Sequence, residues 1–422
     1  MTEINGSSLK ILQAFPALTH SSFRWFWSGQ IISLIGTWTQ NIGQAWLVLQ
    51  LTNSPLLLGL VTALQFAPVL LFSLHAGAWI DRLPKRRIII LTQVTFMILA
   101  FGLAFLVGAG LIRYWMLLVF AFFLGVANTV DIPARQSFVI ELVGREHLAN
   151  AIALNSAIFN GARLIGPAIA GIIMGVWGPM WCFLINGISF IGVLGILAYI
   201  PAIPRGGKNV VRQGAIWPEI KEGLGYIRRT PQILFIILIM GFLSTVAMNF
   251  NVLIPVLAKL ELHEEALGFG LLMSSMGFGA LLGALTVAVR SNGKPQTQLL
   301  FIGATGLGIF SILTGLQSQY VGAALMLAFM GWSMIVFSAS ANSIVQLTVD
   351  DRFRGRVMSV YALVFGGMTP LGSVYAGVLS HGWGAKITFI ISGILSLLFL
   401  VGILYWHKHY LGGEKHVNRS PI

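Results

Sequence analysis

Apolar residues run along this chain in long stretches broken by short polar segments. A bilayer crossing takes roughly 20 apolar residues in helical form. Twelve stretches meet that length, at 25–51, 56–80, 88–109, 112–134, 148–176, 179–201, 232–259, 266–289, 297–316, 319–341, 356–380 and 384–406. Lipid offers no partner to an open backbone, so each is predicted to be a helix that closes its own hydrogen bonds. The longest polar interruption divides six helices from six. It predicts an N-terminal six-helix bundle over 1–201, a cytoplasmic linker over 202–231, and a C-terminal bundle with its tail over 232–422. Pro201 and Pro204 open the linker and Gly206 and Gly207 loosen it. Trp217, Ile220, Leu224 and Ile227 then fall at helical spacing opposite Lys221 and Arg228, the pattern of a short amphipathic helix on a membrane surface.

The two sets of six helices are related. Gly161, Gly166, Gly171, Trp177 and Gly178 are each matched 206 positions later by Gly367, Gly372, Gly377, Trp383 and Gly384. A constant offset between long apolar helices marks a duplicated unit, and duplicated membrane halves around a midplane site are a transporter design. The expected fold class is therefore an all-α membrane protein, with twelve transmembrane helices in two pseudo-symmetric six-helix bundles.

Composition and charge sharpen this picture. Of 422 residues, 56% are hydrophobic and 9% charged, against about 25% charged in soluble domains, so no single soluble core accommodates the chain. The net charge of +13 is distributed by side of the membrane rather than by patch. Of 26 Lys and Arg, 22 fall in the segments on the side of the termini. Arg113, Lys259 and Lys386 lie on the opposite side, and Arg163 lies inside a helix. This bias predicts cytoplasmic termini and a basic face that meets anionic lipid, not nucleic acid. Residues 1–22 lack the continuous apolar core of a cleavable signal and are expected to precede an uncleaved first helix. Cys182 is the single cysteine, which excludes an internal disulfide and a multi-cysteine metal site. There is no G-x-x-x-x-G-K-[ST] loop and no H-E-x-x-H helix. Neither an enzyme, nor direct use of ATP, nor a metal or other cofactor is expected.

Polar residues inside the helices carry the candidate chemistry, because those sharing one face should point into protein or water. In the first helix Gln30, Ser33, Thr37, Gln40 and Gln44 are spaced 3, 4, 3 and 4. This predicts a cavity wall, with hydrogen bonding to adjacent helices as the alternative. Gly29, Gly36 and Gly43 form a second face for close packing. In the seventh helix Ser244, Met248, Asn251 and Pro255 repeat the spacing. The fifth helix places Arg163 about 22 Å from its start, at a cost on the order of 3 kcal/mol. Ser156, Asn160 and Pro167 share its face. Anionic-substrate binding, a structural hydrogen-bond hub and snorkelling are the readings open for Arg163. Pro167, with Gly161, Gly166 and Gly171, marks a place where the helix can bend.

Gly77 to Arg87, G-A-W-I-D-R-L-P-K-R-R, resembles the loop between helices two and three of the major facilitator superfamily, carried here by Gly77, Asp81, Arg82, Arg86 and Arg87. Pro84 stands where many members have a glycine. The resemblance implies a gate in which Asp81 caps the eleventh helix near Gly355 and Arg356. Asn160, Arg163, Gly166, Pro167 and Gly171, with D-I-P-A-R-Q-S-F at 131–138, resemble the bacterial efflux branch that contains the enterobactin exporter. Ser373 replaces the counterpart of Pro167 in the second half, so the two fifth-type helices should not bend alike.

The expected function is secondary active export, from the bacterial cytoplasmic membrane, of a small organic molecule such as a siderophore or an amphipathic drug. Alternating access would be driven by proton antiport. Substrate contacts are expected from Arg163, Asn160, Ser156, Gln40, Gln44, Thr37, Asn251 and Met248, gating from Gly77, Asp81, Arg82, Arg86, Gly166, Pro167 and Gly171, and proton coupling from Asp131 or His75. Asp131 is placed near the cytoplasmic end of the fourth helix. A monomer is expected, with a periplasmic or outer-membrane export system as a further partner. An uptake carrier of the same fold and a non-transporting sensor remain the alternatives.

Overall fold

The computed structural model describes residues 15–80, 83–201, 216–290 and 296–417, with the side chains at 74–80, 216–220 and 407–417 left out of the description. The first half comprises α1 (Ser21–Thr52), α2 (Pro55–Ile80), α3 (Lys85–Gly108), α4 (Tyr114–Val143), α5 (Leu148–Trp177) and α6 (Met180–Tyr199). A connecting helix, α7 (Ile216–Arg229), precedes the second half. There, α8 (Pro231–Val246), α9 (Phe250–Val256) and a π turn over Leu257–Glu261 make the seventh pass. The passes α10 (Ala266–Arg290), α11 (Thr297–Gly315) and α12 (Tyr320–Thr348) follow, and α13 (Arg354–Gly367) and α14 (Thr369–Val417) complete the chain. Among the described residues, ten helical segments are long and apolar enough to cross a membrane. The last of them holds two passes that turn at Gly384, and α1, with its polar stripe, supplies one more, which gives twelve.

The 206-residue repeat is a repeat of contacts. Gly178 (φ 89°) and Gly384 (φ 82°) both turn the chain in the left-handed region that side chains avoid, each directly after a tryptophan. Gly166 packs against Trp38 of α1, and its counterpart Gly372 against Thr245 and Asn249 of the seventh pass. Gly171 meets Ala266, Leu267 and Gly270 of α10, and Gly377 meets Pro55, Leu56 and Gly59 of α2. Each fifth-type pass thus rests on the first-type pass of its own bundle and crosses the second-type pass of the other. Gly125 of α4 on Gln65 and Pro68, and Gly331 of α12 on Met276 and Ala280, form a further pair at the same offset. Within the first bundle, Gly29, Gly36 and Gly43 face Ile196, Asn186 and Cys182 of α6.

Four helices differ from their expected extents. The fourth reaches Val143 instead of 134, so Asp131 lies roughly 18 Å inside it rather than near its end. The polar run that suggested a helix end is satisfied within the fold, as Asp131 accepts from Thr92 (2.5 Å) and Gln93 (3.3 Å) and pairs with Arg135 (2.5 Å). The tenth continues to Thr348 instead of 341, and Gln346 donates to Asn342 one turn below (2.5 Å). The seventh pass is interrupted between Val246 and Phe250. Asn249 Nδ2 takes the carbonyls of Thr245 (2.7 Å) and Val246 (3.3 Å) in place of backbone donors, and Pro255 withholds another. The eleventh pass stops at Gly367 and restarts at Thr369 with Pro370 in its first turn, whereas α5 runs on through Pro167.

The helix α7 lies where the linker pattern put it and is docked on the second bundle. Tyr226 stacks on Phe353 at 4.5 Å and its hydroxyl accepts from the Asp350 amide (3.2 Å), Ile227 is buried, and Glu222 pairs with Arg356 at 2.7 Å.

The close approach of α14 to α2 is possible only without side chains at Gly377 and Gly59. Gly377→Leu is expected to cost about 1–3 kcal/mol through overpacking. This would appear as a lower melting temperature in detergent, while Gly192→Leu, at a position with no atom within 4 Å of an added methyl, leaves melting unchanged.

Candidate functional site

Arg163 organises the mid-depth of the interface between the bundles. Its guanidinium is half-buried, with Nη2 3.5 Å from Met334 Sδ of α12 and its carbon 5.8 Å from the Trp38 ring of α1. Trp38 meets Phe159 edge-on at 6.0 Å. Among the described residues the ion pairs join Arg135 to Asp131, Arg354 to Asp351 and Arg356 to Glu222, and none includes Arg163. A thioether and a ring face offset only part of the cost of a charge at this depth. The backbone beside it is equally particular. Pro167 has no N–H for the Arg163 carbonyl, Gly277 of α10 approaches that carbonyl, and Ser274 donates to the carbonyl of Leu164 (2.8 Å).

One turn nearer the termini, Asn160 is half-buried and donates to the Ser156 carbonyl (2.8 Å), while the Ser156 side chain is exposed. Thr37 on α1 is half-buried, Met248 is half-buried and 3.9 Å from the Ser244 hydroxyl, and Asn251 is exposed just past the interruption of the seventh pass. Gln44 is buried and donates to Gln65 of α2 (3.2 Å), which in turn donates to Asn41 (3.5 Å). Gln44 Oε1 and Asn155 Oδ1 are buried without a hydrogen-bond partner.

One expected cavity contact is redirected, and the remaining candidates are held by neighbours in the fold. Gln40 is buried and accepts from Asn186 of α6 at 2.7 Å, so it fastens two helices of one bundle instead of lining a cavity. Its neighbour Gly36 allows that contact by letting Asn186 come close. Arg86 donates to the carbonyls of Leu197 (2.8 Å) and Ala198 (3.1 Å) and so caps the end of α6 within its own bundle. The start of the eleventh pass is held by α7 through the Arg356–Glu222 pair. Asp131 is closed in by Thr92, Gln93 and Arg135, and Gly166, Pro167 and Gly171 are packing positions in seams. Asp81 and Arg82 lie outside the described residues, as do the side chain of His75 and the surroundings of Gly77.

Contacts between the bundles gather from mid-depth to the end remote from the termini. There Gly171 meets α10, Gly377 meets α2, Trp46 stacks on Phe269 at 5.6 Å, and Lys259 donates to Leu49 and Asn53 of α1. On the termini side of Arg163 polar side chains such as Ser156 and Gln346 are exposed. The arrangement is a cleft pinned shut at one end, with a charge at its head.

Two duplicated bundles around such a cleft define a membrane transporter of the major facilitator type. The chain belongs to the transmembrane secretion effector family of that superfamily, whose model matches residues 12–419. It is 24% identical to the staphyloferrin A transporter of Staphylococcus aureus, over 89% of this chain and 93% of that protein. It is 23% identical to macrolide efflux protein A of Streptococcus pyogenes, over 90% and 94%. Its identity to the enterobactin exporter EntS of Escherichia coli K12 is 25%, over 92% and 94%. Among solved structures, the fold matches that of the nucleoside transporter NupG with a TM-score of 0.74 at 11% identity, covering 92% of this chain and 99% of that one. It also matches a bacterial homologue of the iron transporter ferroportin in an inward-facing state, with a TM-score of 0.69 at 17% identity over 92% and 98%.

Sequence reasoning passed over Trp38, Asn41, Gln65, Asn186 and Met334. Gln65 and Asn186 each interrupt a strongly apolar helix and were available as signals, whereas Trp38 and Met334 look like lipid-facing residues until the bundles are assembled. Removing the acceptor that Thr92, Gln93 and Arg135 share should be costly. Asp131→Ala is expected to destabilise the first bundle by about 3 kcal/mol, measured as a fall in melting temperature that Arg135→Ala in the same background does not deepen.

Proposed function

We propose that the protein is an exporter that loads a small organic anion from the cytoplasm and releases it on the other side of a bacterial cytoplasmic membrane by alternating access. The observation that carries this reading is Arg163, a guanidinium at mid-depth facing sulfur and a ring instead of a carboxylate among the described residues. A planar cation in that setting suits carboxylate or catecholate oxygens, to which it can donate two parallel hydrogen bonds. Trp38 and Phe159 add an aromatic wall for an amphipathic body. The excess of Lys and Arg in the segments on the termini side argues that this side is cytoplasmic. The cleft would then face the compartment where cargo is loaded. Staphyloferrin A, macrolides and enterobactin, named for three relatives, suggest siderophores and amphipathic drugs as first candidates.

Proton entry is the proposed driving force, with Asp131 as the carboxylate that takes the proton. Protonation would release Arg135 and loosen the hydrogen bonds from Thr92 and Gln93, which tie α3 to α4. No cofactor takes part in this scheme, and one copy of the chain holds all the parts it uses.

Everted membrane vesicles with an imposed pH gradient provide the test. Vesicles carrying the protein should accumulate a carboxylate or catecholate substrate, and collapse of the gradient should abolish accumulation. Arg163→Lys should lower that uptake roughly tenfold at normal membrane levels, because an ammonium cannot make the paired planar contact. Transport of the same anion by Arg163→Gln at the wild-type rate rejects the charge role. Asp131→Asn should transport down a substrate gradient without response to pH, and an intact pH response removes Asp131 from the coupling.

A further inference from the structure

At the end remote from the termini, Lys259 reaches from the π turn of the seventh pass into the other bundle. Its Nζ donates to the carbonyl of Leu49 (2.5 Å) and to Asn53 Oδ1 (3.0 Å), and it lies 5.8 Å from the Trp46 ring. These groups form the C-terminus of α1, where the negative end of the helix dipole favours a cation and the Leu49 carbonyl, which also accepts from Asn53, offers a second lone pair. Asn53 shapes that terminus. It takes the left-handed conformation (φ 46°), returns its own N–H to Leu49 (3.0 Å), and so turns its side chain and the Leu49 carbonyl toward one donor.

Asn53 ends the first pass, and Lys259 lies in the last turn of the seventh, the first pass of the other bundle. Their contact joins an acceptor from one half to a donor from the other across the remote end.

The π turn gives Lys259 a fixed base. Leu262 bonds back to the Leu257 carbonyl (2.9 Å) and Glu264 to that of Ala258 (2.8 Å), so the last turn is wider than an α-helix. Glu261, two residues on, accepts from the amides of Ala385 and Lys386 at the start of the twelfth pass. The carboxylate is held by its own bundle and the ammonium by the other. When the bundles separate, the Lys259 link has to break and the Glu261 link need not.

We propose that Lys259 is the latch of the remote gate: it holds the bundles together by capping the C-terminus of α1, and its release is required for that end to open. The latch concerns the gate alone and is independent of which cargo Arg163 binds.

A single cysteine at Ala266, in a Cys182→Ala background, reports the gate. Ala266 is buried against Gly171 at the remote seam, so a membrane-impermeant maleimide reaches it only when that end opens. Lys259→Met should label roughly tenfold faster than the parent, and Lys259→Arg, which keeps charge and donors, at nearly the parent rate. If Lys259→Met does not reach the membrane, Asn53→Ala removes one acceptor from the other side and should also label faster. The proposal is overturned if neither Lys259→Met nor Asn53→Ala labels faster than the parent while Gly377→Leu, which wedges the seam, does. Equal acceleration by Lys259→Arg and Lys259→Met also overturns it, because size and not the charged donor would then set the rate.

Discussion

A polar atom within a bilayer must find its partner in protein or in water, and this constraint arranges most of what the structure shows. Gln40 finds Asn186, Asp131 finds Thr92, Gln93 and Arg135, and Ser274 finds a carbonyl beside Pro167. Each of these tethers holds two passes in register. Arg163 stands apart as a charge whose neighbours are a thioether and a ring, and Gln44 Oε1 and Asn155 Oδ1 are buried without a hydrogen-bond partner. Most of these polar side chains satisfy one another, while this charge is only partly satisfied, where the two bundles meet.

Glycine sets how closely those bundles approach. Gly171 against α10 and Gly377 against α2 bring backbones together in two crossings related by the repeat, and these seams seal the remote end. Packing of this kind is dispersive and needs no fixed partner, so two surfaces can part and close again without leaving a charge unpaired. Lys259 adds direction to the seal, and the stacked pair of Trp46 and Phe269 adds area beside it. On the other side of the second bundle, α7 is tied to the start of the eleventh pass through Arg356 and Tyr226. The helix α7 is therefore attached to the bundle it precedes.

The number of passes, the division into six and six, the repeat and the connecting helix were all legible in the chain. They follow from hydrophobic length, from the linker's composition and from spacing, which depend on neighbours in sequence. Helix ends were read less well wherever polar residues continued a helix. Asp131 and Arg135 suggested an end nine residues early because their partners, Thr92 and Gln93, lie about 40 positions away. The interruption at Ala247 to Asn249 depends on one asparagine that replaces backbone donors, and composition does not reveal that choice.

The candidate site divides along the same line. A polar stripe on α1 marks a face that avoids lipid, yet helical spacing alone does not tell a wet cleft from a neighbouring helix, and Gln40 turned out to face the latter. Arg86 reads as a gate residue by its motif, and the structure adds that it caps α6, because the carbonyls of Leu197 and Ala198 lie within its reach. By itself the sequence determined that this is a duplicated twelve-pass membrane chain with an arginine at mid-depth of one helix, since the cost of polar groups in hydrocarbon acts on every residue locally. Only the tertiary structure decided which polar groups satisfy one another, which end is sealed, and that Lys259 reaches Asn53 of the other half, because those outcomes rest on distances between helices that no local pattern encodes.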